Sequence, residues 1–142
     1  MKISARNVFE GKVDRLVPGA VNSEVDIVLN NGDKIVAIVT NGSAKSLGLA
    51  TGKIVLALVK ASSVLVMSEA GGVTLSARNM LSGKVARLSN GPVSSEVAIA
   101  LPGGTTVHAT ITHEAATELG IAEGSAVTAV FKASSVILGV AS

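Results

Sequence analysis

Cysteine is absent from this sequence, and aromatic side chains are nearly absent. The chain of 142 residues contains no Cys, Trp or Tyr and only two Phe. Without cysteine there can be neither a disulfide framework nor a thiolate metal site. With so few aromatic rings, the chain can make almost no base-stacking contacts, which are worth about 1–3 kcal/mol per base in single-strand binding. These absences exclude two classes of protein and count heavily against a single-strand nucleic-acid binder.

Long apolar runs and a strong charge of one sign are missing as well. The longest apolar runs, residues 35–39 and 54–59, are far short of the roughly 20 residues that a membrane span requires. The sequence after Met1 lacks the pattern of a signal peptide. The net charge is only +2, and the charges are scattered without a basic run. We therefore expect a cytoplasmic protein with no membrane partner and no nucleic-acid partner.

What the sequence does contain is one segment written twice. Residues 4–64 recur without a gap as residues 76–136, each matched pair lies 72 positions apart, and about half of the positions are identical. This spacing is longer than the roughly 20–50 residues of a solenoid repeat. It fits a duplicated domain near the lower size limit for independent folding. We predict a first domain at residues 1–69, a linker at 70–73 and a second domain at 74–142.

The composition indicates that these small domains are covered by other protein surfaces. Apolar residues make up 48% of the chain and charged residues only 15%. A domain of this size buries a small share of its surface, so excess apolar area is usually covered by its twin or by other subunits. We expect a homo-oligomer.

Short β-branched stretches with partial alternation predict strands in each copy. They are interrupted at Pro18-Gly19, at residues 30–33 and at Gly52. The Asn31-Gly32 pair predicts a hairpin, because both residues tolerate a positive φ. The pattern favours about five strands per copy, and the repeat leaves room for a shared or exchanged terminal strand.

One short helix is predicted before the fourth strand of each copy. Its Ala- and Leu-containing sequence begins after Thr40 or Thr112, whose hydroxyls can cap the first turn, and Asn41 is an alternative cap in the first copy. Gly48 and Gly120 are placed to end it. The fold class is therefore all-β, with two tandem OB-like β-barrel domains of about five strands and one short helix each.

No catalytic constellation recurs in both copies. The only histidines, His108 and His113, lie in the second copy, so a shared function cannot depend on histidine. Glu24 recurs as Glu96, but no second carboxylate recurs with it, which leaves two-carboxylate hydrolysis without support. Neither a nucleophile elbow nor a phosphate-binding Gly-rich loop is present. The sequence predicts a protein that is not an enzyme and has no cofactor.

Both copies retain three groups of hydrogen-bond donors. They are Ser-Ala-Arg-Asn at residues 4–7, Thr40 before the short helix, and Lys-Ala-Ser-Ser at residues 60–63, each with its counterpart. Lys supplies a point charge, Arg a planar fork, and Ser and Thr neutral donors. This combination suits a small tetrahedral oxyanion. Packing constraints alone would conserve the apolar residues and glycines of a repeat more strictly than these polar motifs.

In order along the chain, these motifs resemble the molbindin (Mop-type) family, and the tandem arrangement is similar to its di-Mop members, which are cytoplasmic molybdate-binding proteins. The residues that carry the resemblance are Ser4-Ala5-Arg6-Asn7, Gly11-Lys12-Val13, residues 21–25, residues 40–49 and residues 60–64. The resemblance implies an OB-like barrel and binding of molybdate or tungstate at sites shared between subunits. It also implies a ring of six Mop units, hence a homotrimer, with a role in molybdenum storage or homeostasis. The metal would be bound as molybdate and not as a cation.

The resemblance also assigns site residues, position by position. The oxyanion site would use Ser4, Ala5, Arg6, Asn7, Thr40, Ser43, Lys60, Ala61 and Ser62, with Ser76, Ala77, Arg78, Asn79, Thr112, Ala115, Lys132, Ala133 and Ser134 in the second copy. A second class of site near the symmetry axis would use Val21, Asn22 and Ser23, with Val93, Ser94 and Ser95.

The second copy departs from the pattern, because Ala115 replaces Ser43 and Glu114 adds a negative charge beside it, so we expect weaker binding there. The alternatives are an OB-fold nucleic-acid module, a binder of sulfate or phosphate, and a scaffold that only forms oligomers.

Overall fold

The computed structural model describes residues 2–68 and 73–141, and in it each repeat folds into the same series of elements. The first repeat contains β1 (Asn7–Pro18), β2 (Asn22–Leu29), β3 (Lys34–Thr40), α1 (Asn41–Ser46), β4 (Ile54–Val59), a 3₁₀ helix (Ala61–Ser63) and β5 (Leu65–Met67). The second contains β6 (Asn79–Asn90), β7 (Ser94–Ala100), β8 (Thr106–Thr112), α2 (His113–Leu119), β9 (Ala126–Phe131), a 3₁₀ helix (Ala133–Ser135) and β10 (Ile137–Gly139). The predicted linker lies outside the described residues except for Val73.

The two repeats exchange their last strands. One antiparallel sheet has the order β10-β4-β1-β2-β3 and the other β5-β9-β6-β7-β8. In the first sheet Leu138 of β10 lies opposite Ala57, and in the second Val66 of β5 lies opposite Ala129. The exchange that the repeat left open is therefore present, and each sheet contains residues from both repeats.

Each sheet curls into a barrel around an alternating apolar face. In β2 the side chains of Val25, Ile27 and Leu29 are buried, whereas those between them are not. The long strand β1 bends at a bulge between Val13 and Arg15, and β3 contacts β10 across the opening of the barrel. This architecture confirms the predicted all-β fold of two OB-like units with five strands and one short helix.

The predicted hairpin between β2 and β3 is present, and one of its two signal residues takes a positive φ. The Gly32 N–H donates to the Leu29 carbonyl at 2.9 Å, and the Leu29 N–H donates to the Asp33 carbonyl at 2.8 Å. Within this loop only Gly32 takes a positive φ, of 94°. Among all the described residues, a positive φ occurs only at glycines. The loop is thus a longer turn closed by a left-handed glycine, so Asn31 does not use its tolerance of that conformation.

The helix caps follow the prediction. The Thr40 hydroxyl accepts a hydrogen bond from the Ser43 N–H at 3.1 Å, and the Thr112 hydroxyl accepts one from the Ala115 N–H at the same distance. At the other end the chain turns through the left-handed residues Gly48 and Gly120. Neither short helix, nor any other helix in the described parts of the chain, is long and apolar enough to cross a membrane.

One asparagine fastens the outer strand of each barrel to the other repeat. The Asn7 amide donates to the His108 carbonyl at 2.8 Å and accepts from the His108 N–H at 2.7 Å. Asn79 makes the same two bonds to Val36, both at 2.8 Å. The two asparagine side chains are only 1% and 2% exposed. They provide hydrogen-bond partners for backbone N–H and carbonyl groups of β8 and β3 along the edge of each strand that pairs with no other strand. The arrangement holds Arg6 and Arg78, the preceding residues, beside the opposite barrel.

Candidate functional site

A cleft of about 330 Å³ lies where the polar motifs of the second repeat meet β3 of the first repeat. Ile38 of β3 forms part of its wall, and three further apolar residues, from β5, β9 and the segment before β6, complete it. The polar motifs supply Ser76, Ala77, Arg78, Lys132, Ala133 and Ser134. The structure therefore brings together six residues that the sequence assigned to the second-copy oxyanion site.

The groups around this cleft are suited to an anion. Arg78 and Lys132 carry positive charges, and the exposed Ser76 and Ser134 supply neutral hydroxyl donors. Ala133 is buried at the start of a 3₁₀ helix, which holds the Lys132 backbone in place through the Ser135 N–H at 2.9 Å. Two cations can balance the charge of a tetrahedral dianion, and two hydroxyls can donate hydrogen bonds to it.

The first copy presents the same motifs beside β8. Ser4, Lys60 and Ser62 are exposed, and Ala61 is buried in the matching 3₁₀ helix. Arg6 lies at a smaller depression of about 220 Å³ whose lining includes Arg87, Ser89, Glu96 and His108.

A glutamate of the opposite repeat holds each of these arginines. Arg6 Nη2 lies 3.3 Å from Glu96 Oε1, and Arg78 Nη1 donates to Glu24 Oε1 at 2.5 Å. The hydrogen bond from Arg78 lowers the pKa of Glu24, and the same contact raises the pKa of Arg78. These partners were not predicted from the sequence, although the recurrence of Ser-Glu-Val in both copies was an available signal.

The predicted helix-start residues do not line the cleft. The Thr40 hydroxyl donates to the Ser43 hydroxyl at 2.9 Å, and both residues are exposed. On β3, Thr40 shares a face with Ile38 and lies roughly 7 Å further along the strand. In a single chain, therefore, the first-copy helix start is next to the second-copy motifs. Thr112 and Ala115 begin the matching helix after β8.

The second predicted class of site falls on two exposed hairpin tips. Val21 and Val93 are 71% and 80% exposed there, and Asn22 and Ser94 are exposed beside them. The buried Ser23 donates its hydroxyl proton to the amide oxygen of Asn41 at 2.6 Å. Ser95 is buried too and donates to the amide oxygen of Asn90 at 2.8 Å. In this chain the two serine hydroxyl protons are already engaged.

No cation site accompanies these donors, since the described residues contain no group of three or more His, Cys, Asp or Glu side chains that could hold a metal ion.

One acidic group near the cleft carries a cost in the folded state. Asp26 lies two residues from Glu24 on the same face of β2, its Oδ1 is buried, and no donor among the described residues reaches that atom. Burial raises the pKa of Asp26 above its ordinary 3.8, and a hydrogen bond to Glu24 raises it further.

Replacing Asp26 with Asn should therefore stabilise the fold above the pKa of folded Asp26. Since that pKa exceeds the unfolded value, the ionisation penalty is absent below about 3.8, grows as the pH rises through the folded pKa, and is complete above it. We expect a gain of up to about 1 kcal/mol at pH 8 and little or none near pH 4, measured by urea denaturation. Asp14→Asn, at an exposed position, is the matched control; an equal gain for both variants would contradict the explanation.

Each half of the chain matches the family model described as the TOBE domain, at residues 3–66 and 75–138. Among solved structures, the cytoplasmic molybdate-binding protein ModG, crystallised with molybdate bound, superposes with a TM-score of 0.95. The two sequences are 55% identical, and the superposition covers 99% of this chain and 100% of that chain.

Two curated relatives are similar over nearly the whole chain. The molybdenum transport protein ModE of Azotobacter vinelandii is 48% identical over 140 residues, which cover 99% of this chain and 52% of that protein. The molybdenum-pterin-binding protein MopA of Rhodobacter capsulatus is 43% identical over 138 residues, which cover 97% of this chain and 52% of that protein. This chain thus spans about half the length of the curated relatives that it matches.

Proposed function

Because this chain belongs to the TOBE domain family, with one domain in each half, we propose that it binds molybdate, and also tungstate, as an intact oxyanion. The relatives bear out the resemblance to Mop-type proteins, since they are named for molybdate binding, molybdenum transport or molybdenum-pterin binding. None of those names describes a catalytic activity. The proposal is a binding protein that releases the same ion it takes up.

The cleft that gathers Ser76, Arg78, Lys132 and Ser134 carries this proposal. The guanidinium of Arg78 and the ammonium of Lys132 would each face oxygens of the dianion, while the serine hydroxyls donate to the remaining lone pairs. Ala77 and Ala133 would contribute backbone N–H groups. The first copy would use its matching residues, Ser4, Ala5, Arg6, Lys60, Ala61 and Ser62, in the same way.

Asn7 and Asn79 would act differently from their neighbours in the motif. Their amides are occupied by the backbone of His108 and Val36. They would place Arg6 and Arg78 for the anion without contacting it.

Completion of each site by another subunit is part of the proposal. Thr40 and Ser43 are exposed donors outside the cleft, as is Thr112, so a neighbouring chain could bring its helix start to the anion. Exposed apolar side chains at matched positions support self-association; they include Val21 with Val93, and Leu65 with Ile137. The assembly proposed is a homotrimer with six TOBE units, and the hairpin tips at residues 21–23 and 93–95 would form the second class of site around its axis.

The cellular role proposed is cytoplasmic storage and buffering of molybdenum. The similarity to ModG, which is described as cytoplasmic and which this chain matches end to end, supports this location. A nucleic-acid module is not favoured, since two Phe cannot form a stacking platform. Sulfate and phosphate share the shape of molybdate and are the competitors to test.

Calorimetric titration of the native oligomer with molybdate, tungstate and sulfate tests the proposal. We expect several molybdate ions bound per trimer, with similar affinity for tungstate and weaker binding of sulfate, because the smaller ion cannot reach both cations and both hydroxyls at full contact. Native mass spectrometry should show the same stoichiometry. An absence of heat and of mass shift with both metal oxyanions would refute the function, and equal affinity for sulfate would refute the specificity.

A further inference from the structure

The two arginine–glutamate pairs around the proposed sites are not equivalent. The pair Arg78–Glu24 is short, at 2.5 Å, and the Glu24 side chain is 22% exposed. The pair Arg6–Glu96 is longer, at 3.3 Å, and the Glu96 side chain is 52% exposed. The arginine of the second-copy site is therefore held more closely by its carboxylate than the arginine of the first-copy site.

A second carboxyl group also distinguishes the two pairs. Asp26 stands beside Glu24 on β2, and the position that matches it in the other repeat is Ala98. On the side of the long strands the neighbours match, since Arg15 lies opposite Asp26 and Arg87 lies opposite Ala98. On the other side Asp26 lies opposite Val36, whereas Ala98 lies opposite His108. Asp26 is thus an additional acid in the Glu24 cluster, and the Glu96 cluster has His108 instead of a second acid.

The strand register connects this acid to the anion site. Asp26 lies opposite Val36 in β3, and Val36 is the residue whose backbone Asn79 holds. Arg78 precedes Asn79 and reaches across to Glu24. The charged groups that face the acid pair are Arg15 from β1 and Arg78 from the segment before β6.

The pKa values of Glu24 and Asp26 shift in opposite directions because their environments differ. The hydrogen bond from Arg78 is the main reason that the pKa of Glu24 is lowered, whereas burial is the main reason that the pKa of Asp26 is raised. The neighbouring Glu24 carboxylate raises the pKa of Asp26 further. Two acidic groups therefore act on the Arg78 guanidinium, whereas the position beside Glu96 that matches Asp26 is alanine.

We propose that Glu24 and Asp26 form an internal competitor for Arg78, which makes the second-copy anion site the weaker of the two in this chain. An arriving dianion would compete with Glu24 for the Arg78 guanidinium, whose Nη1 donates to that carboxylate. When it displaces Glu24, that carboxylate is left beside Asp26 without its cation, which is unfavourable. Glu96, which has Ala98 beside it, can turn into solvent at little cost. This inference rests on the proposed oxyanion function and adds Glu24 and Asp26 to it as positioning residues.

The test is a molybdate titration of the full-length oligomer in a Lys60→Ala background, in which the second-copy sites dominate the signal. We expect Asp26→Ala, which installs the residue of the other repeat, to bind molybdate about three- to fivefold more tightly. Asp26→Asn should behave in the same way, since it also removes the acid, whereas Asp26→Glu should retain the weak affinity. The reciprocal change Ala98→Asp, in a Lys132→Ala background, should weaken the first-copy sites by a similar factor.

Proton uptake is the readout that a purely structural role would not change. Calorimetry in two buffers of different ionisation enthalpy should show protons taken up on binding to the parent protein, because the displaced acid pair binds protons more strongly. Asp26→Ala should show less uptake. Unchanged affinity and unchanged proton uptake in Asp26→Ala, with an intact oligomer that binds molybdate, would overturn this inference alone. Absence of molybdate binding in the unmodified protein would overturn the proposed function and the inference with it.

Discussion

Changing Lys60 and Lys132 together to alanine should reduce molybdate affinity by about 10- to 100-fold at the first-copy and second-copy sites, because in the proposed sites each lysine would donate a charge-assisted hydrogen bond worth about 1.5–3 kcal/mol. Both lysines are exposed and follow a strand directly, so the fold does not depend on their charge. The single variants should each weaken about half of the sites. Calorimetry on the intact oligomer measures both the affinity and the number of sites lost.

The repeat provides a control with the same change in net charge. Lys12 and Lys84 are also matched and exposed, but they lie on β1 and β6 and not in the donor motifs. Lys12→Ala with Lys84→Ala should leave molybdate affinity nearly unchanged. If both double variants lost affinity equally, the ion would be held by net charge and not by a built site. If neither double variant lost affinity, Lys60 and Lys132 would not be part of the binding site.

Local structure in this chain could be predicted because local rules determine it. The hydroxyls of Thr40 and Thr112 cap their helices as the sequence indicates, and Gly48 and Gly120 end the helical segments. Alternating β-branched residues gave the strands of both barrels. The turn after β2 was the exception, since Asn31-Gly32 fits two kinds of hairpin loop and only the backbone path selects between them.

The strand exchange could not be predicted from sequence pattern. β4 and β9 share valine at the matched positions 55 and 127 and alanine at 57 and 129, and nothing in the sequence of the short strands β5 and β10 selects one of them. The path of the chain after each 3₁₀ helix makes the choice, and no local preference encodes it. The cleft also contains Ile38 and Leu65 of the first repeat, and their place beside the second-copy motifs could not be predicted either.

The Ser-Ala-Arg-Asn motif shows that repeated polar residues need not share one role. Its recurrence predicted ligand binding, because folding alone gives little reason to retain such polar residues. Asn7 and Asn79 do have a folding reason, since their amides satisfy the backbone of an edge strand. The retention of Glu24 and Glu96 likewise has an explanation in the arginines that they hold.

Removing the two asparagine amides should cost the fold more than any other change at the surface between the repeats. Asn7→Ala leaves the His108 N–H and carbonyl without their partners, and Asn79→Ala does the same to Val36. Each variant should lower the free energy of unfolding by about 1–3 kcal/mol. The double variant should lose the sum, and urea denaturation of the ligand-free protein measures it.

Two comparisons separate this structural role from ligand contact. Asn30→Ala removes an exposed amide that bonds only to Glu10 at 3.0 Å, and it should change the free energy of unfolding by no more than about 0.5 kcal/mol. Because Asn7 positions Arg6, saturating molybdate should recover part of the stability lost in Asn7→Ala, through binding to the folded form. An Asn7→Ala protein that unfolds like the parent but has lost molybdate affinity would contradict this reasoning and would place the asparagine amide among the ligands.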